Sequence, residues 1–304
     1  MPHPRVTLVA LGCAAFALAA ECRAQAIGAA RTTPNLVDNI DRPLRYRPDG
    51  ADFAIENGPE FFNRSLYGGN TAFRADGGDK PEFVLYLPGR GGNLRLGLRT
   101  ASAAKWLHDA ARVEMRYRPG SLRYEIRDPL LGERGVLRVT ALAYHQTEGL
   151  IVRAEAEGIP DGVELVWSYG GINGQRGTRD GDIGTERVPI SQYFQLRPEF
   201  CADNAFDLRA DGFTLHAKAA TIAGVVPAGA RLGVADANRW NDLAGLLAAE
   251  GGLKPALPVV VGRVTLVEGT PVLLSLQRVA AGAVVTEDLA TYKEVGAPPP
   301  AALR

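Results

Sequence analysis

One pattern constrains this chain more than any other: apolar and charged residues alternate, one for one, through run after run. Val113, Met115 and Tyr117 alternate with Arg112, Glu114, Arg116 and Arg118. Beyond Arg118-Pro119-Gly120-Ser121, Leu122, Tyr124 and Ile126 alternate with Arg123, Glu125 and Arg127. A period of two sends successive side chains to opposite faces of a strand, whereas a helix needs a period near 3.6. The two runs therefore predict a β-hairpin with one dry and one wet face. Leu94, Leu96 and Leu98 against Arg95 and Arg99 repeat the pattern. Further strands are expected over 136–143, 150–156, 163–169, 189–196, 213–218, 231–234, 258–267 and 271–279, with Gly, Pro and Asp between them.

Many short strands with one-sided patterning and frequent turn signals predict an all-β chain, a large antiparallel β-sandwich of supersandwich-like build. No strand–helix alternation is present, which argues against a parallel α/β sheet. One short helix is expected where Trp240, Leu243, Leu246 and Leu247 share a face, with Asn238 as its cap and Gly251-Gly252 as its stop. Residues 103–110 carry a shorter helical pattern.

The N-terminus has the layout of a secretory signal peptide over residues 1–26. Arg5 is the positive charge, Val6 to Ala20 the apolar stretch of 15 residues, and Ala24-Gln25-Ala26 the cleavage site. That stretch is short of the roughly 18 to 20 residues a spanning helix needs, and Glu21 before Cys22 does not suit lipid attachment. A secreted or periplasmic protein is expected, with residues 27–41 a flexible lead, 42–292 the sandwich domain and 293–304 a Pro-rich tail (Pro298-Pro299-Pro300). Cleavage removes Cys13 and Cys22, so Cys201 cannot form an internal disulfide and reads as an inert thiol. It also leaves 32 basic and 33 acidic residues. So balanced a charge gives no electrostatic case for nucleic acid or a membrane surface as partner. The alternating arginines read instead as a solvated sheet face.

Two blocks resemble a known family. They are Arg42 to Leu98, with Asn63-Arg64-x-x-Tyr67-Gly68 inside it, and Gly170 to Phe206, GGINGQRGTRDGDIGTERVPISQYFQLRPEFCADNAF. The family is an uncharacterised domain at the front of large secreted bacterial proteins, where it precedes an all-helical six-hairpin, glycosidase-like barrel. The resemblance implies an accessory β-sandwich, non-catalytic by itself, that shapes the sugar site of a barrel not contained in this chain. Its expected partners are polysaccharide or oligosaccharide and a helical barrel acting in trans.

The segment with most potential chemistry is Gly170 to Pro189. It holds six glycines, three arginines (Arg176, Arg179, Arg187) and three carboxylates (Asp180, Asp182, Glu186), with Trp167, Tyr169, Tyr193 and Phe194 at its shoulders. Long polar loops on a rigid sheet are common binding sites. Arginines and carboxylates hydrogen-bond sugar hydroxyls, and aromatic faces take the apolar faces of pyranose rings. Arg176, Arg179, Asp180, Asp182, Glu186 and Tyr193 are the candidate substrate contacts. The plainer possibility is that these charges pair among themselves while Trp167 and Phe194 sit in the core. Asn63, Arg64, Tyr67, Asn70 and Arg74 form a second candidate group, facing sugar or barrel, or else satisfying the backbone of an irregular segment.

No cofactor or metal is expected. The acidic run Asp180 to Glu186 departs from a calcium loop in spacing, and the histidines, each read as an exposed or hydrogen-bonded ring, share no ligand spacing. Nor is there a zinc-protease, serine-hydrolase, P-loop or Rossmann motif. Catalytic residues are not identified, because sequence cannot place the two facing carboxylates that glycoside hydrolysis needs. Two alternatives to the accessory domain stand open: a free-standing carbohydrate-binding module, and a small self-contained hydrolase or lyase.

Overall fold

The computed structural model describes residues 45–69, 71–176, 190–250, 255–280 and 295. In chain order the strands are β1 (Arg47–Asp49), β2 (Asp52–Glu56), β3 (Arg64–Leu66), β4 (Arg74–Gly77), β5 (Glu82–Tyr86), β6 (Arg90–Arg99), β7 (Ala104–Trp106), β8 (Arg112–Arg118) and β9 (Ser121–Arg127). They continue as β10 (Val136–Ala143), β11 (Gly149–Glu157), β12 (Glu164–Ile172), β13 (Ala205–Arg209), β14 (Gly212–His216), β15 (Thr221–Val225), β16 (Arg231–Asp236), β17 (Pro258–Thr265) and β18 (Val272–Val279). The larger sheet has the order β1-β2-β8-β9-β10-β11-β18-β15-β14-β13, and the smaller β16-β17-β12-β6-β5-β4-β3 with β7 beside β6. All these pairings are antiparallel.

The alternation builds the core. On β8 and β9 the apolar residues Val113, Met115, Leu122, Tyr124 and Ile126 all face inward, against Leu94, Leu96, Leu98, Leu165 and Trp167 of the smaller sheet. The hairpin between them turns where the sequence placed it, with Arg118 opposite Ser121 and Gly120 at φ 90°. The fold class is a two-sheet antiparallel sandwich, as expected.

The two outer faces differ. On the larger sheet, Arg116 pairs with Glu114 and Asp49, Arg138 with Glu157, and Arg153 with Glu155, all at 2.7 Å and all partly exposed. On the smaller sheet the outer face is covered. Trp106, Trp240, Leu243 and Leu246 pack on Val166, Val259 and Val261, while Phe62 and Phe194 pack on Val84 and Tyr86. The expected solvated face therefore fails here, and Arg74, Arg90 and Arg95 are buried.

Three local expectations are corrected. Residues 189–196 do not form a strand where described: α1 (Ile190–Tyr193) is one helical turn, followed by buried Phe194. The Tyr193 and Phe194 carbonyls accept from the Arg90 and Asn93 side chains instead of a neighbouring strand. Residues 103–110 are β7 followed by a 3₁₀ turn over Leu107–Asp109, because the Thr100–Ala103 turn returns the chain alongside β6. The helix α2 (Leu243–Ala248) starts later than the pattern suggested. Its cap is Asp242, whose Oδ1 accepts from Gly245 N at 3.0 Å, while Asp236 caps a separate 3₁₀ turn that leads to Trp240. Gly251-Gly252 lie outside the described residues.

Candidate functional site

Of the second candidate group, three side chains are fastened inward. The Arg64 guanidinium lies 4.3 Å from the centre of the Tyr46 ring and donates to the Asn63 carbonyl at 2.9 Å. Asn63 Nδ2 donates to the Tyr46 hydroxyl at 3.4 Å, and that hydroxyl donates to Asp79. Burial and the Asp79 contact push Tyr46 up to about 12. Arg74 donates through Nε to both oxygens of Asp76, at 2.8 and 3.1 Å, beneath the rings of Tyr86 and Phe194. These contacts secure the segment that bears them.

Tyr67 does the opposite. It is 65% exposed, the most exposed of the large apolar residues described, and among the described residues no ring or guanidinium stacks on it. It stands at one lip of a cleft of about 550 Å³. Gly68, Gly69 and Thr71 continue that lip, and His145, Gln146, Thr147 and Glu148, the turn between β10 and β11, form the other. The two lips are pressed together at their base. A Cβ on Gly68 would overlap the Tyr144 carbonyl oxygen, so only glycine lets the loop approach this closely. Tyr144 is buried with Leu142, Ile151 and Val295, and its backbone N donates to Gly149 O at 3.0 Å. Behind the turn, Arg278 Nη1 donates to Glu148 Oε2 at 2.9 Å and to the Leu87 carbonyl at 3.2 Å. The cleft thus has a closely packed floor, one projecting aromatic ring and polar walls. Asn70, also a candidate, lies outside the described residues.

Of the first candidate group, Arg179, Asp180, Asp182 and Glu186 lie outside the described residues. Arg176 is exposed where the chain leaves β12. Tyr193 is half-buried: the Arg90 guanidinium stacks 4.2 Å from its ring centre, Phe194 packs edge-on at 4.9 Å, and its hydroxyl donates to Gln175 O at 3.3 Å. Trp167 and Phe194 belong to the core, as the plainer reading had it, and so does Tyr169. Trp167 crosses Gly262 so closely that a Cβ there would enter the indole.

Other reactive groups are quiet. Cys201 is buried and its thiol is pushed up to about 12 by burial. His216 is exposed beside Asp207 at 2.9 Å. His108, expected as an exposed or hydrogen-bonded ring, has its Nε2 3.3 Å from Asp109 Oδ2. Its imidazole is largely enclosed against Phe61, with Nδ1 unpartnered among the described residues. Desolvation, with Arg95 and Lys80 nearby, depresses it to about 3. No cluster of three metal-ligating side chains occurs among the described residues, and none of their helices is long and apolar enough to cross a membrane.

A family described as a domain of unknown function, DUF4450, matches residues 87–297, more than half of the 304. The chain belongs to the DUF4450 family. No curated protein matches it in sequence. Among solved structures, a bacterial glucoamylase complexed with acarbose is similar to this DUF4450 chain at a TM-score of 0.46 and 10% identity. The likeness covers 78% of this chain and 35% of that one, so the chain spans about a third of the glucoamylase structure's length. Cleft residues Tyr67, Gly68, Gly69 and Thr71 precede the matched DUF4450 segment, and His145 to Glu148 fall within it. Sequence reasoning named Tyr67 but not the turn opposite. The one local sign of that turn is the polar stretch His145 to Gly149 between two strands.

Proposed function

We propose that this DUF4450 domain is the non-catalytic, saccharide-recognising part of an exported polysaccharide-processing protein. An oligosaccharide would lie in the cleft between the Tyr67 lip and the His145–Glu148 turn. One observation carries the reading: a largely exposed tyrosine, beside a glycine pressed on the Tyr144 carbonyl, at the mouth of a polar cleft of about 550 Å³. Aromatic rings bind the apolar face of a pyranose, and a few oriented polar groups fix its hydroxyls. The resemblance to domains that precede glycosidase-like barrels supports the same class of ligand. It also assigns bond cleavage to a barrel acting with this domain. Glu148 is the single carboxylate among the described lining residues, while hydrolysis by paired carboxylates needs two about 5 to 10 Å apart.

Titration calorimetry of the full chain against neutral plant, algal and bacterial hexasaccharides tests this. Heat of binding from at least one of them, with no reducing ends released, is the expected result. An intact, folded chain that binds no saccharide, or that cuts one unaided, would overturn it.

A further inference from the structure

We infer that the cleft selects neutral saccharides and discriminates against uronates and sulfated sugars, through Glu148 held in place by Arg278. The inference rests on the saccharide reading of the cleft. Among the described lining residues there is one carboxylate and no lysine or arginine; the rest are Tyr67, Thr71, His145, Gln146, Thr147 and glycines. These are hydroxyl, amide and ring groups, which suit sugar hydroxyls and offer an anion no permanent positive charge.

The cation behind the turn, Arg278, is already committed. Its Nη1 is shared between Glu148 Oε2 and the Leu87 carbonyl, and its backbone N donates to Glu148 O at 2.8 Å. The ion pair places the Glu148 carboxylate on Arg278, and the backbone bond fixes the Glu148 main chain beside it. A sugar hydroxyl can donate to Glu148, whereas a sugar carboxylate or sulfate can only repel it. Selectivity of this kind comes from what a site penalises as much as from what it attracts. Because Arg278 offsets part of the Glu148 charge, the discrimination should be moderate, about tenfold, as expected for like charges a few ångströms apart in partly wet surroundings.

The experiment uses matched probes: neutral hexasaccharides, each paired with its own C6-oxidised uronate form, titrated into the full chain at low salt. The neutral member should bind about tenfold tighter. Raising the salt to about 0.5 M should narrow the gap in the wild-type protein, since screening shortens the reach of Glu148. Glu148→Gln should close most of it, read as the ratio of neutral to uronate affinity within that variant. Uronate binding as tight as neutral, or a gap that neither salt nor Glu148→Gln changes, overturns the inference and leaves the saccharide reading intact. Binding of neither member overturns both.

Discussion

The outer faces of the two sheets have similar alternating arginines and carboxylates and opposite fates. On the larger sheet, Arg116 reaches Glu114 and Asp49 in open solvent. On the smaller, Arg95 donates to Glu82 at 2.7 Å with both side chains almost wholly buried, beneath the indoles of Trp106 and Trp240. It also donates to the Trp240 carbonyl at 3.1 Å and to Asn241 at 3.0 Å. Exposed ion pairs are screened and cost side-chain entropy, so each contributes little. A buried pair is different: its formation hardly stabilises the fold, but loss of one partner strands the other charge in a low-dielectric interior. One sheet face is a tolerant surface, and the other is a frame under the helical cover.

The largest effect that sharpens this contrast is Arg95→Ala. It leaves Glu82 buried with only Asn93 Nδ2 at 3.2 Å, and should cost about 3–5 kcal/mol in denaturant unfolding. A loss under about 1 kcal/mol would mean the cover opens to water. Next is acid sensitivity, which should come from the covered side. His108 is depressed from 6.5 to about 3, so below pH 6.5 the unfolded chain binds a proton that the folded chain refuses. Stability is therefore lost as pH falls from 6.5 toward 3, by up to about 1.4 kcal/mol per pH unit. Unfolding midpoints of His108→Phe measured from pH 7 to 4 should fall less steeply than those of wild type. The smallest effect belongs to the wet face: Arg116→Ala should change unfolding free energy by about 1 kcal/mol or less. A larger cost there would erase the distinction between the two faces.

The sequence already showed where the strands run and which side of each faces the core, because period-two patterning is local. The hairpin of Val113 to Ile126 needed nothing else. It could not show that Arg95 is buried while Arg116 is wet, since both sit in the same alternation. What separates them comes from far along the chain: Trp240 lies 145 residues from Arg95, and Phe194 lies 101 from Asn93. The same holds for the strand expected over 189–196, where an apolar and polar alternation is bent by arginine contacts into a helical turn. The cleft was half legible. Tyr67 and its glycines carry a readable oddity, but their facing turn at His145 to Glu148 is joined to them only by the fold.

The proposed saccharide role has two aromatic candidates: Tyr67 on the open lip, and Tyr193 stacked on Arg90 beside the polar segment that the sequence singled out first. One titration separates them, with the best-binding neutral hexasaccharide against wild type, Tyr67→Ala and Tyr193→Ala. Tyr67→Ala should weaken binding by about 10- to 100-fold, the cost of removing a central aromatic anchor. Tyr193→Ala should stay within about threefold of wild type. Unchanged binding by Tyr67→Ala would contradict the account.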